Sequence, residues 1–156
     1  MTNKNNKFHH MKKIVLIIFI SIQSFSCTKK VTSLDIPKIN GYWEIEKVNF
    51  ADGKQKDYTI NQTFDYFVVK NNKGFRKKVT PQLDGTFLVN NDFEKIEIKQ
   101  SGETYFIYYS TSFSKWKEEL RLLSDNELIL VNDAKNEYHY KKTAPINLTD
   151  NGKEVK

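Results

Sequence analysis

Turn-forming residues interrupt this chain so often that long helices have no room to form. Asn71-Asn72-Lys73-Gly74, Asp84-Gly85, Asn90-Asn91-Asp92, Ser101-Gly102, Ser124-Asp125-Asn126 and Asp133-Ala134-Lys135-Asn136 follow one another at short intervals. Asn, Asp and Gly tolerate positive φ and bond locally to the backbone, so each cluster reverses the chain. Between them lie runs rich in Tyr, Phe, Val, Ile, Thr and Trp, which suit a pleated, half-buried surface. Nine runs qualify: 41–50, 62–70, 74–80, 85–90, 93–99, 103–110, 114–123, 127–132 and 136–142. Such a rhythm, with a turn roughly every 8–12 residues, predicts an antiparallel meander closed into a barrel or stacked as a sandwich.

The side-chain pattern agrees. In Glu94-Lys95-Ile96-Glu97-Ile98-Lys99 the isoleucines face one way and the charges between them the other. Glu118, Leu120 and Leu122 are set against Glu119, Arg121 and Leu123, and Tyr138 and Tyr140 against His139 and Lys141. No long stretch repeats at helical spacing; only Ala51 to Asn61 leaves space for a short helix or lid.

The start of the chain is an address. Met11 to Cys27 reads MKKIVLIIFISIQSFSC: two lysines, an apolar run, small residues, then the single cysteine. The nine residues from Ile14 to Ile22 would span roughly 14 Å as a helix, whereas a bilayer core is about 30 Å thick. The run is too short to cross but fits the core of a cleavable signal. Residues 1–26 are therefore read as a signal peptide, with Met11 as the better start and 1–10 as a dispensable extension.

Ser24-Phe25-Ser26-Cys27 resembles the looser lipoboxes of Bacteroidetes lipoproteins, with Ser26 fitting and Ser24 and Phe25 departing from the strict pattern. A lone cysteine in an exported chain has no internal disulfide partner, and modification by lipid would consume the thiol. Cys27 is thus the expected lipid-attachment residue. Each buried methylene contributes about 0.8 kcal/mol, so the two or three acyl chains of a bacterial lipoprotein hold it permanently. Thr28 after the cysteine, with no acid before Asp35, resembles the signal for the outer membrane, facing the periplasm. A tether over 27–38, a domain over 39–143 and a loose tail over 144–156 follow. That domain is large enough for one core.

The net charge of +6 belongs largely to the targeting segment. Lys4, Lys7, Lys12 and Lys13 lie there without an acid; beyond them 21 basic residues face 19 acidic ones. Such a balance leaves no electrostatic footprint for nucleic acid.

Gly41-Tyr42-Trp43, opening the first strand after a short tether, resembles the Gly-x-Trp signature of lipocalins. Trp116 to Leu122, Leu-Ser-Asp-Asn-Glu-Leu-Ile-Leu at 123–130 and Glu137-Tyr138-His139-Tyr140-Lys141-Lys142 are similar to the last hairpins of lipocalin-like lipoproteins of the Bacteroidetes type. The resemblance covers 39–143, although the chain is shorter than a typical lipocalin and lacks the family's second and third motifs. It implies an all-β, up-and-down barrel of about eight to nine strands, with Trp43 plugging the base. Arg121 becomes the candidate for the arginine that packs over that tryptophan.

Catalysis has no footing in the sequence. His139, between two tyrosines, reads as a solvent-facing strand residue, and it is the only histidine beyond the signal. No His/Cys/Asp/Glu grouping has metal-ligand spacing, and no nucleophile lies beside a base. Glu118 and Glu119 are adjacent and so face opposite sides of a strand. Gly74, Gly85 and Gly102 are turn glycines, not a phosphate loop. No catalytic residue, metal or cofactor is expected, and the chain is not expected to be an enzyme.

Binding has the better warrant. Eight tyrosines, eight phenylalanines and both tryptophans lie beyond residue 26. A small barrel is either filled by its own side chains or holds one small ligand, and tyrosine offers an apolar face with a hydroxyl handle. Tyr105, Ile107 and Tyr109 alternate onto one face and are the candidate cavity lining for a small hydrophobic or amphipathic molecule. The competing reading is a packed β-domain that meets an envelope protein or glycan through its surface. Lys73, Arg76, Lys77 and Lys78 form a basic hairpin, read as a solvated edge in which lysine blocks unwanted pairing, with anionic headgroups or glycans as the other partner.

Overall fold

The computed structural model describes residues 30–144. The signal peptide, Cys27 and most of the expected tail lie outside the described residues. Ten strands form where turn residues separate them: β1 Gly41–Asn49, β2 Gln55–Asp57, β3 Phe64–Lys70, β4 Lys73–Pro81, β5 Phe87–Val89, β6 Glu94–Ser101, β7 Thr104–Ser110, β8 Lys115–Leu123, β9 Glu127–Asn132 and β10 Glu137–Thr143. Eight of them run in the order β1-β3-β4-β6-β7-β8-β9-β10, and β10 pairs back onto β1. The sheet therefore closes, as an all-β antiparallel barrel, and leaves no edge within the cylinder.

Strands β2 and β5 lie outside that circuit. The first half of β1 pairs with β3, while its second half pairs with β2 over Lys47–Asn49. Likewise β4 pairs with β6 over its first half and with β5 over Val79–Pro81. The stretch 51–61 is thus no helix or lid. It is a turn and the short strand β2, whose residues are all exposed.

Two local devices set the barrel's shape. Asn71 (φ 51°) and Asn72 (φ 62°) make the two-residue turn between β3 and β4, a geometry in which both central residues need positive φ. Gly74 follows because the backbone presses against it: a Cβ there would sit 1.8 Å from the Val68 carbonyl oxygen. Bulges occur at Glu46 in β1 and at Arg121 in β8. The second overturns one expectation. An extra residue switches the facing of the strand beyond it, so Leu120 and Leu123 are buried and Leu122 is only half-buried.

The core is a cluster that includes Trp43, Phe67, Ile96, Ile98, Ile107, Leu120, Leu128, Leu130 and Tyr140. Burying each aliphatic side chain contributes roughly 1.5–3 kcal/mol before chain entropy is charged. The expected tether differs from its reading as well. Its described part packs on the barrel base: a 3-10 helix, Ile36–Ile39, buries Ile36 and Ile39, and Val31 is buried beside them. Three apolar residues at irregular spacing fit neither strand nor helix periodicity, yet they suffice to cap an open cylinder. The barrel, its cap and its core all lie within residues 30–144.

Candidate functional site

At the end remote from the 3-10 helix the barrel interior turns polar. The inward positions of β4 are Gly74, Arg76 and Lys78, since they pair with Val69, Phe67 and Asp65 of β3. From β8, Glu118 points inward opposite Ile107, and Trp116 opposite Tyr109. Glu94 enters from β6 opposite Arg76. Strand alternation thus brings two cations and three carboxyl groups into one chamber.

Arg76 is its centre. Its Nε donates to Glu94 Oε2 at 2.5 Å. The guanidinium also lies 3.8 Å from Asp65 Oδ1 and 3.8 Å from Glu118 Oε2, just beyond hydrogen-bond distance. Its carbon sits 4.4 Å from the centre of the Tyr109 ring, and Tyr109 stacks on Trp116 with centroids 5.1 Å apart and planes 9° from parallel. Lys78 Nζ donates to Asp65 Oδ2 at 2.8 Å. At the rim Lys78 is exposed, and Glu94 partly so.

Three buried atoms here have no partner in hydrogen-bond geometry among the described residues: Asp65 Oδ1, and the Tyr109 hydroxyl and Glu118 Oε2, which lie close enough to one another to interact. Leaving such an atom unpaired costs about 1–3 kcal/mol, so three in one place require an explanation. Burial raises the pKa of Glu118, opposed by Arg76 and the neighbouring Tyr109 hydroxyl. Burial likewise pushes the Tyr109 phenol well above its ordinary value. Desolvation alone would lower the Arg76 pKa, but Tyr109, Glu94 and Asp65 outweigh it and hold the guanidinium charged. The arrangement gathers acceptors, a hydroxyl and a guanidinium inside the barrel.

Of the residues singled out from the sequence, Tyr105, Ile107 and Tyr109 do face inward together. Only Tyr109 joins the polar chamber. Ile107 is sealed in the core at 0% exposure, and Tyr105 lies toward the base, beside a depression of about 270 Å³ that also borders Lys30 and Val31. Trp43 is fully buried, and its Nε1 donates to the Ile39 carbonyl at 2.7 Å, which ties the 3-10 helix into the barrel. Arg121 does not pack over it. Next to inward Leu120 it points outward to Glu119 and Glu137, and the cation over the Trp43 ring is Lys142, 4.8 Å from its centre.

The polar chamber itself escaped sequence reasoning. Arg76 and Lys78 read as part of a basic hairpin with Lys73 and Lys77, because cations crowded in sequence suggest a solvated strand. The missing signal was the partner strand. Asp65 and Phe67 alternate on β3 in register with Lys78 and Arg76, so a charge pair across strands identifies the inner face. His139 is half-buried on the outer face, 3.0 Å from Asn49 Nδ2.

Among the described residues no grouping of three or more His, Cys, Asp or Glu side chains is arranged to hold a metal ion. No protein-family model matches the sequence, and no curated protein matches it. Among solved structures this chain is similar to a lipocalin-like protein from Bacteroides uniformis ATCC 8492, at 16% identity and a TM-score of 0.44, over 68% of this chain and 99% of that one.

Proposed function

We propose that this is a lipid-anchored lipoprotein of the outer membrane, facing the periplasm, whose barrel binds a small hydrophobic or amphipathic molecule without catalysing a reaction. The observation that carries the reading is the chamber around Arg76. Three buried polar atoms without a hydrogen-bond partner among the described residues gather inside the barrel, where Asp65 stands in register beside Trp43. The polar end of a ligand would satisfy Asp65, Tyr109 and Glu118. Binding sites with these traits are mostly apolar, with a few convergent polar groups.

The test is native mass spectrometry of the chain from residue 27 with Cys27→Ser, purified from its host. A co-purifying small molecule whose occupancy falls in Tyr109→Phe is the expected result; bare protein throughout defeats the ligand reading. Anchoring is tested apart from it. Cys27→Ser in the full chain should abolish fractionation with the outer membrane, and retention there refutes attachment through Cys27.

A second reading has its own support. Trp43, Phe67, Ile107, Leu128 and Leu130 are each at most 1% exposed, so the half of the barrel nearest the plug is filled by its own side chains. A domain packed in this way acts through its surface, on an envelope protein or glycan.

A further inference from the structure

One side of the barrel is basic along its whole length. The outward positions of β6 and β8 carry Lys95, Lys99, Lys115 and Lys117, and Lys73 of β4 lies beside them. The acids on this side are already engaged: Lys73 and Lys99 hold Glu97 at 3.6 and 2.9 Å, Arg121 holds Glu119, and Lys30 holds Glu103. Lys99 and Lys117 also lie over the rings of Tyr108 and Phe106, at 5.3 and 5.2 Å.

Lys95 and Lys115 are different. Both are exposed, and no carboxylate lies within 4.0 Å of either among the described residues. They flank Ser110 in register, one on each neighbouring strand, which sets their backbones roughly 10 Å apart. Two adjoining clefts, of about 490 and 610 Å³, share Lys95, Ser110 and Lys115 in their walls. At the tip of this side stand Phe113, 98% exposed, and Phe93, 46% exposed. Asp92 also borders the second cleft, where it is bonded to Asn90.

We propose that this face docks on anionic phospholipid headgroups, with Lys95 and Lys115 taking phosphates and Phe113 entering the interface, so that the barrel lies on its side against a bilayer. Lysine suits this as a compact point charge for phosphate, and its stem keeps the ammonium at headgroup level while apolar neighbours sink. Exposed phenylalanine beside unpaired lysine is the composition of an interfacial surface; an acidic glycan leaves Phe113 in water. The route of the chain fits as well. Lys30 pairs with Glu103 in the β6–β7 turn, so the N-terminal segment leaves the barrel at the foot of this same face. From there to Lys95 is about six strand residues, roughly 20 Å. The inference does not depend on a ligand inside the barrel.

Flotation of the chain from residue 27, carrying Cys27→Ser, with vesicles of phosphatidylcholine and phosphatidylglycerol mixed two to one tests it. Binding that weakens with salt, and is absent on pure phosphatidylcholine, is expected. A lysine near a charged surface contributes about fivefold in binding. The pair K95E/K115E should therefore lose on the order of 25-fold or more, and Phe113→Ser should weaken binding without altering its salt dependence. The charge-matched pair K54E/K56E, at the exposed turn after β1 and on β2, should bind as the parent does. No flotation of the parent, equal losses in the two pairs, or binding to a soluble acidic polysaccharide but not to vesicles overturns the proposal.

Discussion

The ammonium of Lys142 lies 4.8 Å from the centre of the Trp43 ring and donates a 2.5 Å hydrogen bond to the Lys38 carbonyl. The last strand thereby clamps both the plug tryptophan and the 3-10 helix that covers it. Burial lowers the Lys142 pKa, opposed by Asp125, which marks the ammonium as partly removed from water. Lys142→Met keeps the apolar stem and deletes the charge. It should cost about 1–2 kcal/mol in urea denaturation, from a cation–π contact and one charged hydrogen bond. Arg121→Gln removes only exposed ion pairs and should cost at most about 0.5 kcal/mol. Equal losses would show that Trp43 is not held through Lys142.

Gly74 tests the close approach of β3 and β4. A methyl group there meets the Val68 carbonyl oxygen at 1.8 Å and the Val69 Cα at 3.0 Å, both main-chain atoms. The tight Asn71-Asn72 turn leaves the two strands little freedom to separate. Gly74→Ala should therefore destabilise by at least about 2 kcal/mol, the cost of overpacking against atoms that cannot rotate away. A thermal midpoint within error of the parent would mean that the hairpin opens freely.

The fold was legible because turns and alternation are local. Ile96 and Ile98, or Tyr138 and Tyr140, announce their inward face without reference to any other strand. Facing failed where geometry depends on a partner. The bulge at Arg121 is invisible in sequence, and it exchanged Leu122 for Leu123. Aromatic content misled in a related way. Tyr42, Tyr66, Phe75, Phe87 and Phe93 do not line the interior but form a ladder of ring contacts on the outer surface, at centroid spacings from 4.3 to 6.3 Å. The polar chamber was hidden for the same reason. Asp65, Arg76 and Glu94 come from three paired strands and Glu118 from β8, two strands beyond β6, so strand pairing and the curl of the sheet make them neighbours.

Glu118 should make stability fall as pH rises. Burial, with smaller contributions from Asp65 and Glu94, holds its folded-state pKa above the ordinary value of 4.5. The folded state therefore binds the proton more tightly than the unfolded chain between those two values. The stabilisation is fully present below about 4.5 and is lost as pH climbs through the raised pKa. Glu118→Gln removes the titration. The variant should melt higher than the parent at pH 7, and the difference should vanish below pH 4.5. A parent as stable as the variant at pH 7 would show that Arg76 fully compensates the carboxylate.

Asp35 should act with the opposite sign. Its buried carboxylate accepts the Thr32 hydroxyl at 2.7 Å, Lys38 Nζ at 3.0 Å and the Thr32 backbone N–H at 3.0 Å. These bonds, led by the Thr32 hydroxyl, hold its pKa far below the ordinary 3.8. The unfolded chain then binds the proton first, so the contribution is complete above 3.8 and drains away as pH falls through the depressed folded value. Asp35→Asn keeps the shape but weakens all three bonds, which loosens the cap that carries Ile36 and Ile39. It should lower the melting temperature at pH 7, and the gap to the parent should narrow steadily below pH 3.8 as the parent's own carboxylate protonates. A gap that stays constant down to pH 2 would mean that the cap is held by Ile36, Ile39 and Trp43 alone.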